Sequence, residues 1–203
     1  MVDGEKVDGR RSTVDGEEDV IRTVPVLEGV DVRGNARELL RFTFPRQREG
    51  RRLCIADFFA PKSAGEMDVI GLSLVTIGHK ASELTQKLFH GGEYTRYLYL
   101  HGISVETAEA LAELQHRLMR QELGIAGQDA PRISDLFHQK YRGSRFSFGY
   151  PACPHMEDQT KLFKLLRPEE AIGVKLTTGF MLDPEQSTSA IVVHHPGAKY
   201  FVA

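Results

Sequence analysis

Residues 142–154, Arg-Gly-Ser-Arg-Phe-Ser-Phe-Gly-Tyr-Pro-Ala-Cys-Pro, hold two arginines, three aromatic rings and four glycines or prolines in thirteen positions. Gly149 permits backbone angles that are closed to other residues, and Pro151 and Pro154 fix φ and remove two N–H donors. This composition predicts a rigid, non-repetitive loop rather than a helix or an ordinary strand. Rigid loops that present cations and flat rings are frequent binding sites for ligands with a carboxylate and a ring.

The overall composition is that of one ordinary globular domain. A chain of 203 residues, 41% hydrophobic and 27% charged, is long enough for a sizeable core. The formal net charge of −2 provides no basic footprint for nucleic acid. There is no signal-peptide pattern and no apolar run of about 18 residues, so no membrane contact is expected. Two cysteines form no disulfide framework, and a reduced, cytoplasmic protein is expected.

The N-terminal segment is polar. Residues 1–19 repeat Val-Asp-Gly three times, and Asp-Gly pairs favour turns. The repeat does not indicate a calcium loop, because the acidic spacing and the closing glutamate of an EF-hand are absent. We therefore predict a flexible lead-in over residues 1–19 and one domain over residues 20–203.

The periodicity of apolar residues predicts strands first, then helices, then a helix with strands. Strands are predicted in residues 20–32 (one or two), 41–45, 69–78, 175–178, 189–194 and 200–202, and helices in 81–89, 93–122, from 131 through 141 and in 157–166. The long helix carries apolar residues at Leu98, Val105, Ala108, Leu111, Leu114 and Leu118. Strands grouped apart from helices indicate an α+β fold, a single domain with a largely antiparallel, twisted sheet flanked by helices.

Three side chains, two in the loop and one after it, could bind a ligand. Arg145 could pair bidentately with a carboxylate, or it could be a surface arginine that shields the neighbouring phenylalanines. Tyr150 and Tyr200 could offer flat faces to an adenine or a sulfonium, or they could be packing aromatics. The residues alone leave these alternatives open.

Acidic and thiol groups provide further candidates. Glu106, Glu109, Glu113 and His116 share one face of the long helix, by default a solvated one. Glu109 also borders the apolar stripe and could point into a cleft. Cys153 could be a nucleophile with a histidine base, but no catalytic signature surrounds it, and a buried structural thiol is favoured. The sequence has no pair of cysteines or histidines at the short spacing that is typical of a zinc site, such as CxxC or HxxxH.

The chain resembles a known family. Residues 145–154 resemble the Arg-Pro-Ala-Pro-Gly-Tyr-Pro-Ala-Cys-Pro signature of the activation domain of cobalamin-dependent methionine synthase. Four further segments are similar to that family in order and spacing: 56–62, 68–76, 173–177 and 195–201. The resemblance covers roughly residues 20–203, a length that is typical of a single domain.

The resemblance implies a function. The family binds S-adenosylmethionine and, with one electron from a flavodoxin-type reductant, supports reductive methylation of inactive cob(II)alamin to methylcobalamin. The chain would thus serve a methyltransferase, with cobalamin held by a partner domain and neither a metal site nor a catalytic residue of its own. The implied cofactor-binding residues are Arg145, Ser147, Gly149, Tyr150, Tyr200, Phe201 and Glu109.

The chain also departs from the family pattern. Phe146 and Phe148 replace prolines, and Phe201 replaces a tyrosine. Residues 1–203 are also expected to lack counterparts of the family's N-terminal and C-terminal helical segments. An alternative is therefore a homologue that binds no ligand and docks to a corrinoid domain or a reductase.

Overall fold

The computed structural model describes residues 21–28, 37–64 and 67–202. The predicted lead-in over residues 1–19 lies outside the described residues, and so do residues 20 and 29–32 of the first predicted strand region, 20–32. In chain order the strands are β1 (Ile21–Glu28), β2 (Arg37–Pro45), β3 (Gly71–Thr76), β4 (Ser144–Ser147), β5 (Lys175–Leu176), β6 (Leu182–Asp183) and β7 (Ser187–Val193). The α-helices are α1 (His79–His90), α2 (Tyr94–Glu122), α3 (Ile133–Leu136), α4 (Gln159–Leu166) and α5 (Pro168–Ile172).

The central sheet is antiparallel, with strand order β3-β7-β4. Residues Ser189 to Val193 of β7 are all buried, as expected of a central strand that is covered on both faces. Leu72 of β3 and Phe146 of β4 both pair with Ile191. β1 and β2 form a separate antiparallel pair, and β5 pairs with β6. The α+β class with an antiparallel sheet is confirmed.

An aromatic core joins the β1–β2 pair to the central sheet. Phe42 and Phe44 alternate with exposed or half-buried residues along β2 and are fully buried, as the period of a half-buried strand requires. Phe42 lies 6.2 Å from Phe148, and Phe58 lies 6.4 Å from Phe146, between ring centroids. The phenylalanines in positions where the family has prolines therefore contribute core packing.

Helix α2 packs on the sheet through small side chains, not through its leucines. Ser104, Ala108 and Ala112 are 2–3% exposed, since small residues allow a helix to approach a neighbouring element closely. Leu98 and Leu114 are instead about half exposed, at 48% and 50%. The predicted helix is correct and Ala108 of its apolar stripe is buried, but Leu98, Leu114 and Leu118 of that stripe are exposed.

Three predicted elements need correction. The stretch 142–154 was predicted as a loop throughout, yet its residues Ser144–Ser147 form β4, because alternate side chains are buried against β7. Residues 200–202 form no strand. The helix predicted from Pro131 through Tyr141 is only the four-residue α3, and its Ile133 and Phe137 are 70% and 79% exposed. Without a buried face, that segment gains little from helical structure.

Within the described residues, no helix combines the length and apolar character that a membrane span requires.

Candidate functional site

Strand β4 presents Arg145 and Ser147 to a cleft. Ser144 and Phe146 point to the buried side, and Arg145 and Ser147 alternate with them and are half-buried. The cleft measures about 230 Å³. Its lining residues come from α2, from the segment before β4, from β4 itself and from the two loops that carry Tyr150 and Tyr200: Glu109, Glu113, Gln139, Tyr141, Arg145, Ser147, Tyr150 and Tyr200.

Arg145 is the cation of this cleft, and two carboxylates hold it in place. One terminal nitrogen donates to Glu113 Oε1 at 2.6 Å and lies 3.7 Å from Glu109 Oε2. The Arg145 side chain is only 13% exposed, so these contacts act in a medium of lower dielectric than water. Its Nε is buried and lacks a hydrogen-bond partner among the described residues.

Tyr141 lines the cleft and contacts both Glu113 and Arg120. Its hydroxyl donates to Glu113 Oε1 at 3.3 Å, and the guanidinium of Arg120 lies 4.1 Å from the ring centroid. Burial, reinforced by the Glu113 charge, raises the pKa of Tyr141 to about 12. The hydroxyl therefore stays protonated and helps to fix the carboxylate that holds Arg145.

Two tyrosine rings form the rim. Tyr150 is 55% exposed and Tyr200 is 42% exposed. The Tyr200 ring stacks on buried Phe146 with centroids 6.4 Å apart, which leaves it supported and still accessible. Tyr150 lies in a tight turn closed by two hydrogen bonds, Gly149 N to Cys153 O at 2.9 Å and Cys153 N to Tyr150 O at 2.8 Å.

The structure brings five of the seven predicted site residues together, namely Glu109, Arg145, Ser147, Tyr150 and Tyr200. Phe201 does not line the cleft. It is 7% exposed and packs in the core, 5.6 Å from Phe146 between ring centroids. Gly149 does not line it either. At φ +85°, with Met156 Sδ only 2.5 Å from where a Cβ would lie, Gly149 instead allows the turn that carries Tyr150.

Three lining residues were missed by sequence reasoning. Glu113 was interpreted as part of a solvated stripe, although its position four residues after Glu109 puts both carboxylates on one helix face. Tyr141 directly precedes the stretch 142–154, but its contact with Glu113 joins residues 28 positions apart, which local sequence patterns do not predict. For Gln139 we find no sequence signal.

Both cysteines are free and buried. Burial and the charge of Asp158 raise the pKa of Cys153 to about 12, and burial raises the pKa of Cys54 to about 11. A nucleophilic cysteine needs the opposite environment, accessible and electropositive. No group of three potential metal ligands occurs in the part of the chain that the structure describes.

The Cys153 thiol is therefore expected to react slowly. At neutral pH, iodoacetamide should label it at least about 100-fold more slowly in the folded protein than in urea, because both burial and the low thiolate fraction oppose the reaction. Mass spectrometry of timed samples measures the rate. Labelling of the folded protein at the unfolded rate would revive the thiol-enzyme alternative.

His116 lies beneath the cleft and is 1% exposed. Burial, with the charges of Arg120 and Arg145, lowers the pKa of His116 from 6.5 to about 3. Between these values the unfolded chain binds a proton that the folded protein does not, so stability falls as the pH drops. From pH 7 to pH 5 this residue should cost about 2 kcal/mol of unfolding free energy.

Urea denaturation at the two pH values measures this loss. His116→Gln should show a smaller drop than the wild type, while His138→Gln, which alters an exposed histidine, should behave like the wild type. Equal drops in all three proteins would disprove the assignment to His116.

Comparison with known proteins decides the family. The model of the vitamin B12 dependent methionine synthase activation domain matches residues 22–203. The chain belongs to this family. The resemblance found in the sequence is thereby confirmed.

Relatives of this activation-domain family member include two methionine synthases. That of Mycobacterium leprae (strain TN) is 46% identical over an alignment of 179 residues, and the match covers 83% of this chain and 15% of the relative. That of Mycobacterium tuberculosis (strain ATCC 25618 / H37Rv) is 48% identical over an alignment of 171 residues, and the match covers 79% of this chain and 14% of the relative. The chain thus spans about a seventh of the length of these relatives.

A solved structure shares the fold. It is the crystal structure of the MetH reactivation domain bound to AdoHcy, with a TM-score of 0.79 and 27% identity. The similarity covers 90% of this chain and 59% of that chain.

Proposed function

We propose that the cleft between α2 and β4 binds S-adenosylmethionine, and that the chain acts in the reductive methylation of cob(II)alamin within a cobalamin-dependent methionine synthase. The observation that carries the proposal is the meeting of Arg145 and Tyr200 in one cleft, although they are 55 positions apart in the sequence (200 − 145). Support comes from family membership and from the AdoHcy that the structural relative binds.

The charges of the cleft suit a ligand that carries charges of both signs. The amino-acid end of S-adenosylmethionine has a carboxylate and an ammonium, and its sulfur is a cation. The carboxylate would accept hydrogen bonds from the Arg145 guanidinium, and Glu109, whose side chain is 53% exposed, would face the positive charges. Charge-assisted hydrogen bonds of this kind are about twice as strong as neutral ones.

The rim suits the adenosyl end. Tyr200 offers a flat, supported face and Tyr150 a second exposed ring. A ring face attracts both a flat base and a cation such as a sulfonium. Ser147 contributes a small hydroxyl on the same side of β4 as Arg145.

The cleft is small, which suits a ligand that must donate a methyl group to another domain. A volume of about 230 Å³ lies below the usual range of enclosed small-molecule pockets, about 300–1,000 Å³, so part of the ligand would stay accessible. Cobalamin, which we place on a partner domain, would supply the centre that accepts the methyl group. A flavodoxin-type protein is the proposed electron donor, and free thiols fit the proposed cytoplasmic location.

Calorimetric titration with S-adenosylmethionine tests the proposal. We expect saturable binding at one site, displaced by S-adenosylhomocysteine. Tyr200→Phe should retain most of the affinity because the ring face remains, whereas Tyr200→Ala should lose about 1–2 kcal/mol of it. Absence of saturable heat in a folded wild-type sample would refute the proposal and favour the ligand-free docking alternative.

A further inference from the structure

A second, more basic cleft lies next to the first, and Tyr141 lines both. This basic cleft measures about 440 Å³. Its lining residues come from the segment between α2 and β4 and from the loop after β7: Gln128, Ala130, Lys140, Tyr141, Arg142, Pro196 and Lys199. Three of these seven residues are cations and none is acidic.

Two of the cations are held by neutral partners. Arg142 Nε donates to the backbone oxygen of His194 at 2.7 Å, and within the described residues its terminal nitrogens make no hydrogen bond or ion pair. Lys199 Nζ donates to the backbone oxygens of Gln139 and Tyr141 at 2.8 and 3.0 Å. These contacts fix both side chains in position and leave their charges uncompensated.

The third cation is only partly available. Lys140 Nζ donates to Asp135 Oδ1 at 2.7 Å, and its side chain remains 60% exposed. The nearby Asp129 is engaged by Arg120 at 2.8 Å and Asp68 by His194 at 2.6 Å. Asp135 thus pairs with one cation of the cleft, Asp129 and Asp68 pair with residues outside its lining, and Arg142 and Lys199 have no carboxylate partner among the described residues.

We propose that the basic cleft binds a phosphate-bearing anion, with Arg142 and Lys199 as its principal contacts. Two fixed, uncompensated cations match the charge of a phosphate better than that of a single carboxylate. The free side of the Arg142 guanidinium presents the fork that pairs with two phosphate oxygens. Tyr141, Ala130 and Pro196 form apolar walls beside these cations.

Titration with inorganic pyrophosphate in a phosphate-free buffer of low ionic strength tests this proposal. The wild type should bind saturably, more weakly as salt is added, and acetate should not compete. Arg142→Gln and Lys199→Gln should each weaken binding at least about tenfold, as the loss of a charge-assisted hydrogen bond predicts. Lys140→Gln, a change at an exposed position, should also weaken pyrophosphate binding, but by less. This variant still tests the basic cleft if the other two variants fail to fold.

Lys164→Gln is the matched control, because Lys164 is an exposed lysine on α4 away from the cleft. It should bind pyrophosphate like the wild type. Arg145→Ala should do so as well, which separates this site from the proposed S-adenosylmethionine site. Absence of saturable binding, equal competition by acetate, or an equal loss in Lys164→Gln would overturn the proposal.

Discussion

Replacing Arg145 with alanine is expected to weaken S-adenosylmethionine binding by about 10- to 100-fold. This range follows from the loss of a charge-assisted hydrogen bond, about 1.5–3 kcal/mol. The effect is large because Arg145 is the cation of the cleft, 13% exposed and already oriented by Glu113. Calorimetric titration of both proteins under the same conditions measures it.

A second ligand sharpens this test. 5′-Methylthioadenosine has the adenosyl group and the sulfur but neither carboxylate nor ammonium. If Arg145 recognises the carboxylate, Arg145→Ala should bind methylthioadenosine within about twofold of the wild-type affinity. The two proteins and two ligands then form a double-mutant cycle that isolates the interaction between Arg145 and the amino-acid end of the ligand. Equal losses for both ligands would point to a collapsed cleft rather than to a lost contact. Unchanged affinity for S-adenosylmethionine would remove Arg145 from the site.

Replacing Gly143 with alanine is expected to destabilise the protein by roughly 2–4 kcal/mol, as strained backbone and steric overlap together predict. Gly143 has φ +91°, and a Cβ there would lie 2.3 Å from the backbone oxygen of Val193 and 3.2 Å from His194 Cα. Both neighbours are backbone atoms that cannot rotate away. The change would push β4 from β7 two residues before Arg145, so ligand affinity should fall too.

Gly102→Ala is the control for this variant. Gly102 lies inside α2, and a Cβ there would meet nothing within 4 Å. That substitution should stabilise the protein by about 0.5–1 kcal/mol, since alanine favours a helix interior over glycine. Urea denaturation of both variants measures the difference. A Gly143→Ala protein as stable as the wild type would show that the strand pairing described here is wrong.

The functional stretch illustrates what the sequence could predict. Its glycine and proline content correctly marked the turn around Tyr150, and the motif resemblance singled out Arg145 and Tyr200, which line the same cleft. The pairing of Ser144–Ser147 with β7 could not be predicted from a four-residue segment, since strand formation there depends on a partner more than forty positions away. Tyr200 was predicted on a strand, but it reaches the cleft from a loop.

Helix α2 shows the opposite limit. Its length was predicted well from apolar spacing, and Ala108 of the predicted apolar stripe is buried, but the burial of Ser104 and Ala112 was not predicted. Hydrophobicity ranks these residues below the leucines, and only the close approach of the helix to the sheet explains their burial. Glu109 and Glu113 both line the cleft. Glu109 was predicted as a site residue, whereas Glu113 was interpreted as part of a solvated stripe.

A crystal structure of the protein soaked with S-adenosylmethionine tests the central claim most directly. We predict the ligand carboxylate within about 3 Å of the Arg145 guanidinium nitrogens, a hydrogen-bond distance, and the adenosyl or sulfonium group against the Tyr200 ring. Density for the ligand elsewhere, with the cleft between α2 and β4 containing only solvent, would contradict the account.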